Sequence, residues 1–251
     1  MRHATLISLL VLSVASGFLG CHRQPAARNR HLVFLIDVSA SIDKQAQEQA
    51  FDAVLKTIRE ANRGDAISII PITGDAETQA QGRILRLRVP ESRSAYDQDL
   101  STFADQTNRS LNALKGAVLS APGLRTDILG TIHLGQQEFL MDGVSADRVL
   151  IILSDFIQDD DTLNFETDPL LKSSATAMVL VARIGNQIIP NHLPCRVFLG
   201  LLRSNDLARL DRDRRHAIQD FWVRYFLARG VQPTFARDGP GLMRDFVSSS
   251  K

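Results

Sequence analysis

The chain of 251 residues is 44% hydrophobic and 23% charged, with 29 Lys and Arg against 28 Asp and Glu. This length suits one α/β domain or at most two small ones, and the apolar fraction excludes a disordered chain. A formal net charge of +1 does not supply the basic field that binding to nucleic acid or anionic lipid requires.

The first 20 residues have the pattern of a secretory signal, because Arg2 and His3 precede an uncharged apolar run that ends at Gly20. The run closes with Phe18-Leu19-Gly20-Cys21, which resembles the bacterial lipobox and predicts lipidation of Cys21, although that motif prefers Leu where Phe18 stands. An uncleaved membrane anchor and an ordinary signal cleavage nearby are the alternatives. The run is shorter than the ~20 residues of a spanning helix, which favours a lipoprotein.

Cleavage before Cys21 would remove one of the 29 cationic residues, Arg2, and no acidic residue, which leaves 28 against 28. Residues 21–30 are then predicted to be a polar tether between the lipid anchor and the domain. The other cysteine, Cys195, would have no partner in the chain, and the two cysteines lack the spacing of a zinc site. We therefore interpret Cys195 as a small buried structural residue.

Strand-like and helix-like segments alternate after the tether, which predicts a mostly parallel sheet with helices on both faces. Continuous apolar runs predict buried strands, and alternating Arg and Leu predict a half-exposed edge strand after a hairpin loop at 74–82. The predicted strands are 31–37, 66–73, 83–89 (the edge strand), 149–153, 177–184 and 197–202. Because proline removes a ladder donor, we expect the regular part of 66–73 to end near Ile70, or to bulge at Pro71.

Helices are predicted wherever apolar residues recur with a period of 3.6. They lie within 42–63, within 95–120, from 126 to about 143, and over 206–229. The whole order predicts a doubly wound α/β domain, with a mostly parallel six-stranded sheet and one antiparallel edge strand. The domain is expected to cover 31–229, with residues 230–251 as a C-terminal extension.

Oxygen-bearing side chains follow the carboxyl ends of the predicted strands, where ligands bind in such sheets. The first strand ends in Asp37-Val38-Ser39-Ala40-Ser41, which places a carboxylate and two hydroxyls at alternate positions. Thr126 stands at a helix start, and Asp155 ends another buried strand. Oxygen-only ligation suits Mg²⁺. Singly, each residue has a structural alternative: Asp37 as a solvated acid, Ser39, Ser41 and Thr126 as helix caps, and Asp155 as the start of a turn.

These residues resemble the von Willebrand factor type A domain and its metal-ion-dependent adhesion site, over about residues 31 to 229. The resemblance implies a Rossmann-like fold in which Ser39, Ser41 and Thr126, in differing states, contact the metal. It also implies that Asp37 and Asp155 hold the metal's waters, and that a carboxylate of a partner protein completes the coordination. The stretch between Ser41 and Thr126 is longer than usual in the family, and residues 231–251 have no counterpart.

The remaining acidic and basic groups change this expectation little. Asp159, Asp160 and Asp161 are interpreted as a solvated loop that adds a cation-attracting field. Dinucleotide, P-loop and nucleophile-elbow motifs are missing from the sequence. The histidines show no spacing that nominates a catalytic base for Ser39; those considered are His31, His133, His192 and His216.

We therefore expect an exported, lipid-anchored module of the bacterial envelope that binds an Asp or Glu of a protein partner through Mg²⁺, or through Mn²⁺ or Ca²⁺. It is expected to be no enzyme and to bind neither nucleic acid nor a small-molecule substrate. His22 follows Cys21 where an Asp would signal inner-membrane retention in enteric bacteria, which favours the outer membrane. The alternatives are a metal-dependent envelope hydrolase that uses the same oxygens, and a structural subunit whose metal is incidental.

Overall fold

One sheet of six strands organises the chain, which the computed structural model describes over residues 29–91, 98–141, 147–188, 195–239 and 241–242. The strands are β1 (Arg30–Asp37), β2 (Ala66–Ile72), β3 (Leu85–Arg88), β4 (Asp147–Ser154), β5 (Arg196–Leu201) and β6 (Thr234–Ala236). Their spatial order is β3-β2-β1-β4-β5-β6, and every pair is parallel except β2 with β3. The predicted fold class is confirmed, including its antiparallel edge strand.

Helices cover both faces of this sheet. They are α1 (Lys44–Arg59), α2 (Gln98–Leu119), α3 (Ile128–Met141), α4 (Ser174–Ile188), α5 (Asn205–Arg209) and α6 (Arg212–Leu227). Alternate residues of β1 enter different cores: Val33 and Leu35 pack with α3, α4 and α6, whereas Phe34 and Ile36 pack with α1 and α2. Because both faces are covered, every residue of β1 and β2 is buried, which explains their continuous apolar runs.

The predicted strand at 177–184 is wrong, because these residues lie within α4. Its buried residues are Ala177, Leu180, Val181 and Ile184, which follow helical spacing. Met178 and Val179 are more than half exposed, at 52% and 56%. These two outward apolar residues made one face of a helix read as a continuous strand-like run.

The sixth strand comes instead from the C-terminal segment. β6 pairs in parallel with β5, so the sheet continues past residue 229, where the sequence pattern ended the domain. The helix predicted over 206–229 is also two helices, α5 and α6. Asp211 separates them because its side chain caps α6 by accepting a hydrogen bond from the Arg214 backbone N–H.

Pro71 does not end β2, which continues in register with β1 through Ile72. The predicted end near Ile70 is therefore wrong. β3 pairs only with Ala66–Ile69, so Pro71 lies where the sheet has no β3 partner, and its missing N–H leaves no β3 carbonyl unsatisfied. The predicted hairpin loop contains two helical turns, Ala76–Ala80 and Gln81–Arg83.

Candidate metal site

The three side chains that follow β1 form one hydrogen-bonded cluster. The backbone N–H and the hydroxyl of Ser39 both donate to Asp37 Oδ1, at 2.9 and 2.6 Å. The Oγ atoms of Ser39 and Ser41 lie 3.1 Å apart. Gln47 on α1 holds this turn by donating to the Ser39 carbonyl at 2.9 Å. The alternate spacing of these residues therefore turns their oxygens toward one another as the chain leaves the sheet.

A second group of oxygens arrives from the end of β4, the strand beside β1. The Ser154 hydroxyl donates to Asp37 Oδ2 at 2.6 Å, which ties the two strand ends together. Asp155 Oδ1 accepts a hydrogen bond from the Ile157 backbone N–H at 2.9 Å. Asp155 Oδ2 is buried and has no hydrogen-bond partner among the described residues. One carboxylate oxygen at this edge is thus left for a ligand.

The backbone directly after Asp155 adopts an uncommon conformation. Phe156 has a φ of 65°, in the left-handed region that a bulky side chain rarely occupies. Its carbonyl accepts a hydrogen bond from Trp222 Nε1 of α6 at 2.9 Å, and its side chain is buried. The aromatic core therefore fixes the turn that carries Asp155. Uncommon backbone conformations of this kind cluster at functional sites.

Both carboxylates are buried, and no positive charge from the residues that the structure describes compensates them. Burial raises the pKa of Asp37 above its ordinary value, against the hydrogen bonds from Ser154 and Ser39 that lower it. Burial, followed by the negative charge of Asp37, raises the pKa of Asp155 to about 8, against the Ser204 side chain and the Ile157 N–H, which lower it. Among the described residues, no cationic group contributes to either shift. Two buried acids with neutral hydroxyls around them fit a hard divalent cation, which would supply the missing charge.

Thr126 lies at the same edge of the sheet, and backbone contacts connect it to the other predicted residues. Its N–H and carbonyl exchange hydrogen bonds with the backbone of Asp159, both at 2.9 Å. The carbonyl of Gly123, three residues earlier, accepts from the Ala40 N–H at 2.9 Å. The Asp127 N–H donates to the carbonyl of Thr73, directly after β2. These contacts place Thr126 between the ends of β1, β2 and β4.

The helix caps that the sequence left as alternatives are made by other residues. The Asp43 side chain caps α1 by accepting from the Ala46 N–H at 3.0 Å. At the start of α3, Gln158 Oε1 accepts from the N–H groups of Ile128 and Leu129, at 2.8 and 3.0 Å. Asp127 Oδ1 accepts from the Gly130 N–H at 2.8 Å. The predicted serines and Thr126 are therefore not the residues that cap these helices.

Sequence reasoning missed the role of Gln158, which is fully buried. Besides capping α3, its amide Nε2 donates to Asp127 Oδ1 at 3.2 Å and to Asp160 Oδ2 at 2.6 Å. The sequence feature that could have indicated this role is the amide side chain directly after the apolar pair Phe156-Ile157. Asp160 and Asp159 also accept hydrogen bonds within their own loop, from Thr162 and Asn164, so this loop is less solvated than predicted.

Three further observations complete the site. In the described part of the chain, no three His, Cys, Asp or Glu side chains converge as metal ligands. Cys195 is a free thiol whose pKa is raised by burial to about 12, in line with a structural role.

None of the helices described here is long and apolar enough to cross a membrane.

Comparison with known proteins shows the fold alone. No protein-family model and no curated protein matches the chain. Among solved structures, the pilus adhesin SpaC of Lactobacillus rhamnosus GG superposes with a TM-score of 0.51 at 11% identity, over 90% of this chain and 30% of SpaC. A von Willebrand factor type A structure from Catenulispora acidiphila has a TM-score of 0.45 at 16% identity, over 89% and 42% of the two chains.

The manganese-loaded TRAP protein of Plasmodium vivax is a more distant likeness, with a TM-score of 0.43 at 12% identity. The match covers 88% of this chain and 74% of TRAP. The chain spans less than half the length of SpaC and of the Catenulispora protein. The superposition with SpaC establishes a likeness of fold alone.

Proposed function

We propose that the chain is a von Willebrand factor type A module that binds a protein partner through one divalent cation. Asp37, Ser39, Ser41, Thr126 and Asp155 would hold the ion, with Mg²⁺ as the expected metal and Mn²⁺ or Ca²⁺ as substitutes. A carboxylate of the partner would complete the coordination. In this proposal the domain is a binding module and no enzyme.

The observation that carries the proposal is the pair of buried carboxylates, Asp37 and Asp155, at the ends of neighbouring strands. Their pKa values are raised, and Asp155 Oδ2 has no hydrogen-bond partner among the described residues. Burying like charges together is unfavourable unless something offsets them. A bound cation removes this cost, and an open coordination position on it would take one further oxygen ligand, which a carboxylate of the partner can supply.

Within the site, each group of residues has a distinct task. The Ser39 and Ser41 hydroxyls would offer neutral oxygens, and Thr126 would add another from the start of α3. Ser154 holds the Asp37 carboxylate at 2.6 Å, so it is a positioning residue. Bound metal would supply a Lewis-acidic position at this edge of the sheet for a partner carboxylate.

Adhesion is supported only by likeness of fold. SpaC is a pilus adhesin, and its superposition with this chain has a TM-score above one half. We extend the proposal to the cell envelope on the basis of residues 1–20 and Cys21, which would export and lipidate the chain. Replacing Cys21 with Ser should then abolish incorporation of labelled fatty acid and release the protein from the membrane fraction. Unchanged labelling in that variant would contradict the lipid anchor.

A metal titration tests the central claim. Mn²⁺ is added to the full chain in a neutral detergent, and binding is followed by calorimetry and by the paramagnetic effect on water relaxation. We expect one site in the wild-type chain and none in Asp37→Asn, which keeps the side-chain shape but removes the charge. The matched control is Asp52→Asn, because Asp52 is exposed on α1 and outside the site. Binding that survives equally in both variants would refute the proposal.

A functional test follows from the same chemistry. Envelope proteins captured by the wild-type chain should be released by EDTA, and Asp37→Asn should capture none of them. If turnover of phosphate or acyl esters were found and Asp37→Asn abolished it, a hydrolase would replace the binding module. If EDTA does not release the captured proteins, the chain would instead be a structural subunit with an incidental metal.

A further inference from the structure

A cavity of about 360 Å³ lies beside the candidate metal site, between the ends of β5 and β6 and the start of α6. Asp155 and Phe156 form part of its lining. The rest of its apolar surface comes from Leu201, Leu207, Ile218 and Phe235. Ligand sites commonly are cavities of this size in which apolar surface is combined with polar groups that orient the ligand, and here charged and polar side chains form a large part of the lining. The cavity is large enough to receive one or two side chains of a bound peptide.

The rim of this cavity is cationic. Arg212, Arg215 and His216 reach it from the first turns of α6, and Arg237 reaches it from the residue after β6. All four are exposed. Across the part of the chain that the structure describes, Arg212, Arg215 and Arg237 form no ion pair with a carboxylate. We refer to these three residues as the arginine rim.

A neighbouring arginine on the same helix shows the contrast. Arg214 donates from Nη1 to the carbonyl oxygens of Phe165 and Asp168, both at 3.0 Å, so its guanidinium is used to hold the loop after β4. The arginine rim has no such structural task. A planar guanidinium with free N–H groups is the preferred partner of a carboxylate, which it can bind through two hydrogen bonds.

Asp155 connects this cavity to the metal site. It lines the cavity, and it also carries the buried Oδ2 atom that lacks a hydrogen-bond partner among the described residues. A ligand that reaches the metal edge therefore stands next to the cavity. On the far side of Thr126, the loop that bears Asp159, Asp160 and Asp161 is acidic, and Arg125 pairs with Asp161 there. The arginine rim thus places unpaired positive charge beside the cavity.

We propose that this cavity binds an acidic segment of the protein partner, with an apolar side chain inside it and a carboxylate on the arginine rim. The proposal rests on the proposed function, because it assigns a second contact to the same partner. The partner would present two acidic groups, one to the cation and one to the rim. Complementary charge of this kind selects the orientation in which a partner docks and speeds its association.

The test uses a synthetic probe, the peptide acetyl-Glu-Leu-Glu-Leu-Glu-amide, with its Gln-for-Glu analogue as the uncharged control. Binding to the full chain in a neutral detergent is followed by calorimetry and by fluorescence of Trp222, the single tryptophan. Trp222 reports on the cavity because it donates to the carbonyl of Phe156 at 2.9 Å, and Phe156 lines it. Each titration is run once in EDTA and once in Mg²⁺.

The test variant combines Arg212→Gln, Arg215→Gln and Arg237→Gln. Its control combines Arg88→Gln, Arg148→Gln and Arg196→Gln, which remove the same charge from the opposite edge of the sheet. In EDTA, we expect the test variant to bind the acidic peptide at least about tenfold more weakly than the wild type, and the control to bind it almost unchanged. The Gln analogue should bind all three proteins weakly and equally.

The titrations in EDTA and in Mg²⁺ test this inference and the proposed function separately. Equal affinity of the wild type and the test variant in EDTA, or an equal loss in the control variant, would overturn the arginine rim as a binding site. A wild type that binds no peptide in either arm would overturn it too. If the rim effect is found but Mg²⁺ tightens binding of neither protein, the cavity stands and the metal-dependent function fails. If only the Mg²⁺ effect is found, the metal site stands and the cavity proposal fails.

Discussion

Buried carboxylates have arginine partners at one edge of the sheet and only neutral hydrogen-bond donors, among the described residues, at the other. At the amino-terminal ends of the strands, Arg30 donates to Asp65 Oδ2 from Nε at 3.0 Å and from Nη2 at 2.7 Å. Nearby, Arg86 donates to both oxygens of Glu138, from Nε to Oε2 at 2.8 Å and from Nη2 to Oε1 at 2.7 Å, and the Ser68 hydroxyl donates to Oε2 as well. At the carboxyl ends, Asp37 and Asp155 are equally buried, but the protein described here supplies hydroxyls and backbone N–H groups and no arginine.

This difference distinguishes a structural edge from the edge at which we propose that the cation binds, called the binding edge below. A buried acid that is paired with arginine and fully hydrogen-bonded is complete within the chain, and removing one partner leaves an uncompensated charge. Two adjacent buried acids without a cation are incomplete, so their energetics depend on what binds from outside. The predictions below test the contrast, starting with the largest expected effect.

Breaking the pair at the structural edge should cost the most. Arg30→Ala leaves the buried Asp65 carboxylate without its guanidinium, and we expect the free energy of unfolding to fall by about 3–5 kcal/mol. Urea denaturation monitored by circular dichroism measures the change. Arg196→Ala is the control, because Arg196 and Asp147 form a half-exposed pair at the same edge, with a loss of under about 1 kcal/mol. A similar loss in both variants would remove the distinction.

Metal should stabilise the binding edge from outside. At a Mn²⁺ concentration about 100 times its Kd, the free energy of unfolding should rise by about 2.7 kcal/mol, because the ion binds only the folded chain. For a domain of this size, that corresponds to a rise in Tm of roughly 5–10 °C. Asp37→Asn should show no such rise. If Mn²⁺ does not change the Tm of the wild type, this edge holds no ion.

Gln158 should matter to stability although it carries no charge. Gln158→Ala removes the acceptor of two N–H groups at the start of α3, which we expect to cost about 1–3 kcal/mol because these donors become unsatisfied. The exposed Gln137 on the same helix provides the control, Gln137→Ala, with almost no effect. Thermal unfolding in EDTA measures both. Equal stability of the two variants would show that water or another group replaces the Gln158 amide.

The smallest expected effect has the opposite sign. In EDTA, Asp37→Asn should stabilise the protein by about 1 kcal/mol, because it removes a buried acid whose pKa is raised by burial and whose charged form is therefore unfavourable in the folded chain. A variant that loses metal binding while gaining stability marks a functional site, since residues kept for the fold alone lose stability when replaced. The measurement is urea denaturation of both proteins in EDTA. A destabilised Asp37→Asn would place Asp37 with the structural acids of the other edge.

Particular residues show what the sequence could predict of the fold. The strands β1, β2, β4 and β5 were visible because burial on both faces produces unbroken apolar runs. The helix α4 was misread because Met178 and Val179 are apolar on its outer side, and no local rule separates such a helix from a strand. β6 was missed because three residues, Thr234–Ala236, carry no periodic signal.

The sequence likewise predicted one part of the candidate site and missed another. Asp37, Ser39 and Ser41 are close in sequence, so their spacing predicted a cluster that the structure contains. The bond from Ser154 to Asp37 depends on how β1 and β4 pair, which is a tertiary property. The arginine rim lies on α6 and after β6, and it meets Asp155 only once β5 and β6 are in place. Convergence from distant elements therefore sets the limit of local sequence reasoning.

The hydrogen bond between Ser154 and Asp37 also constrains the order of events as the chain folds. It joins residues 117 positions apart, and the two carboxylates meet only where it forms. Closing so long a loop is slow and precedes any reward from the contacts it creates. The two acids that we propose for the metal site therefore come together only after β1 and β4 pair, so a cation would meet the complete set of proposed ligands late in folding. It would enter as a late ligand that slows unfolding and leaves the folding rate unchanged.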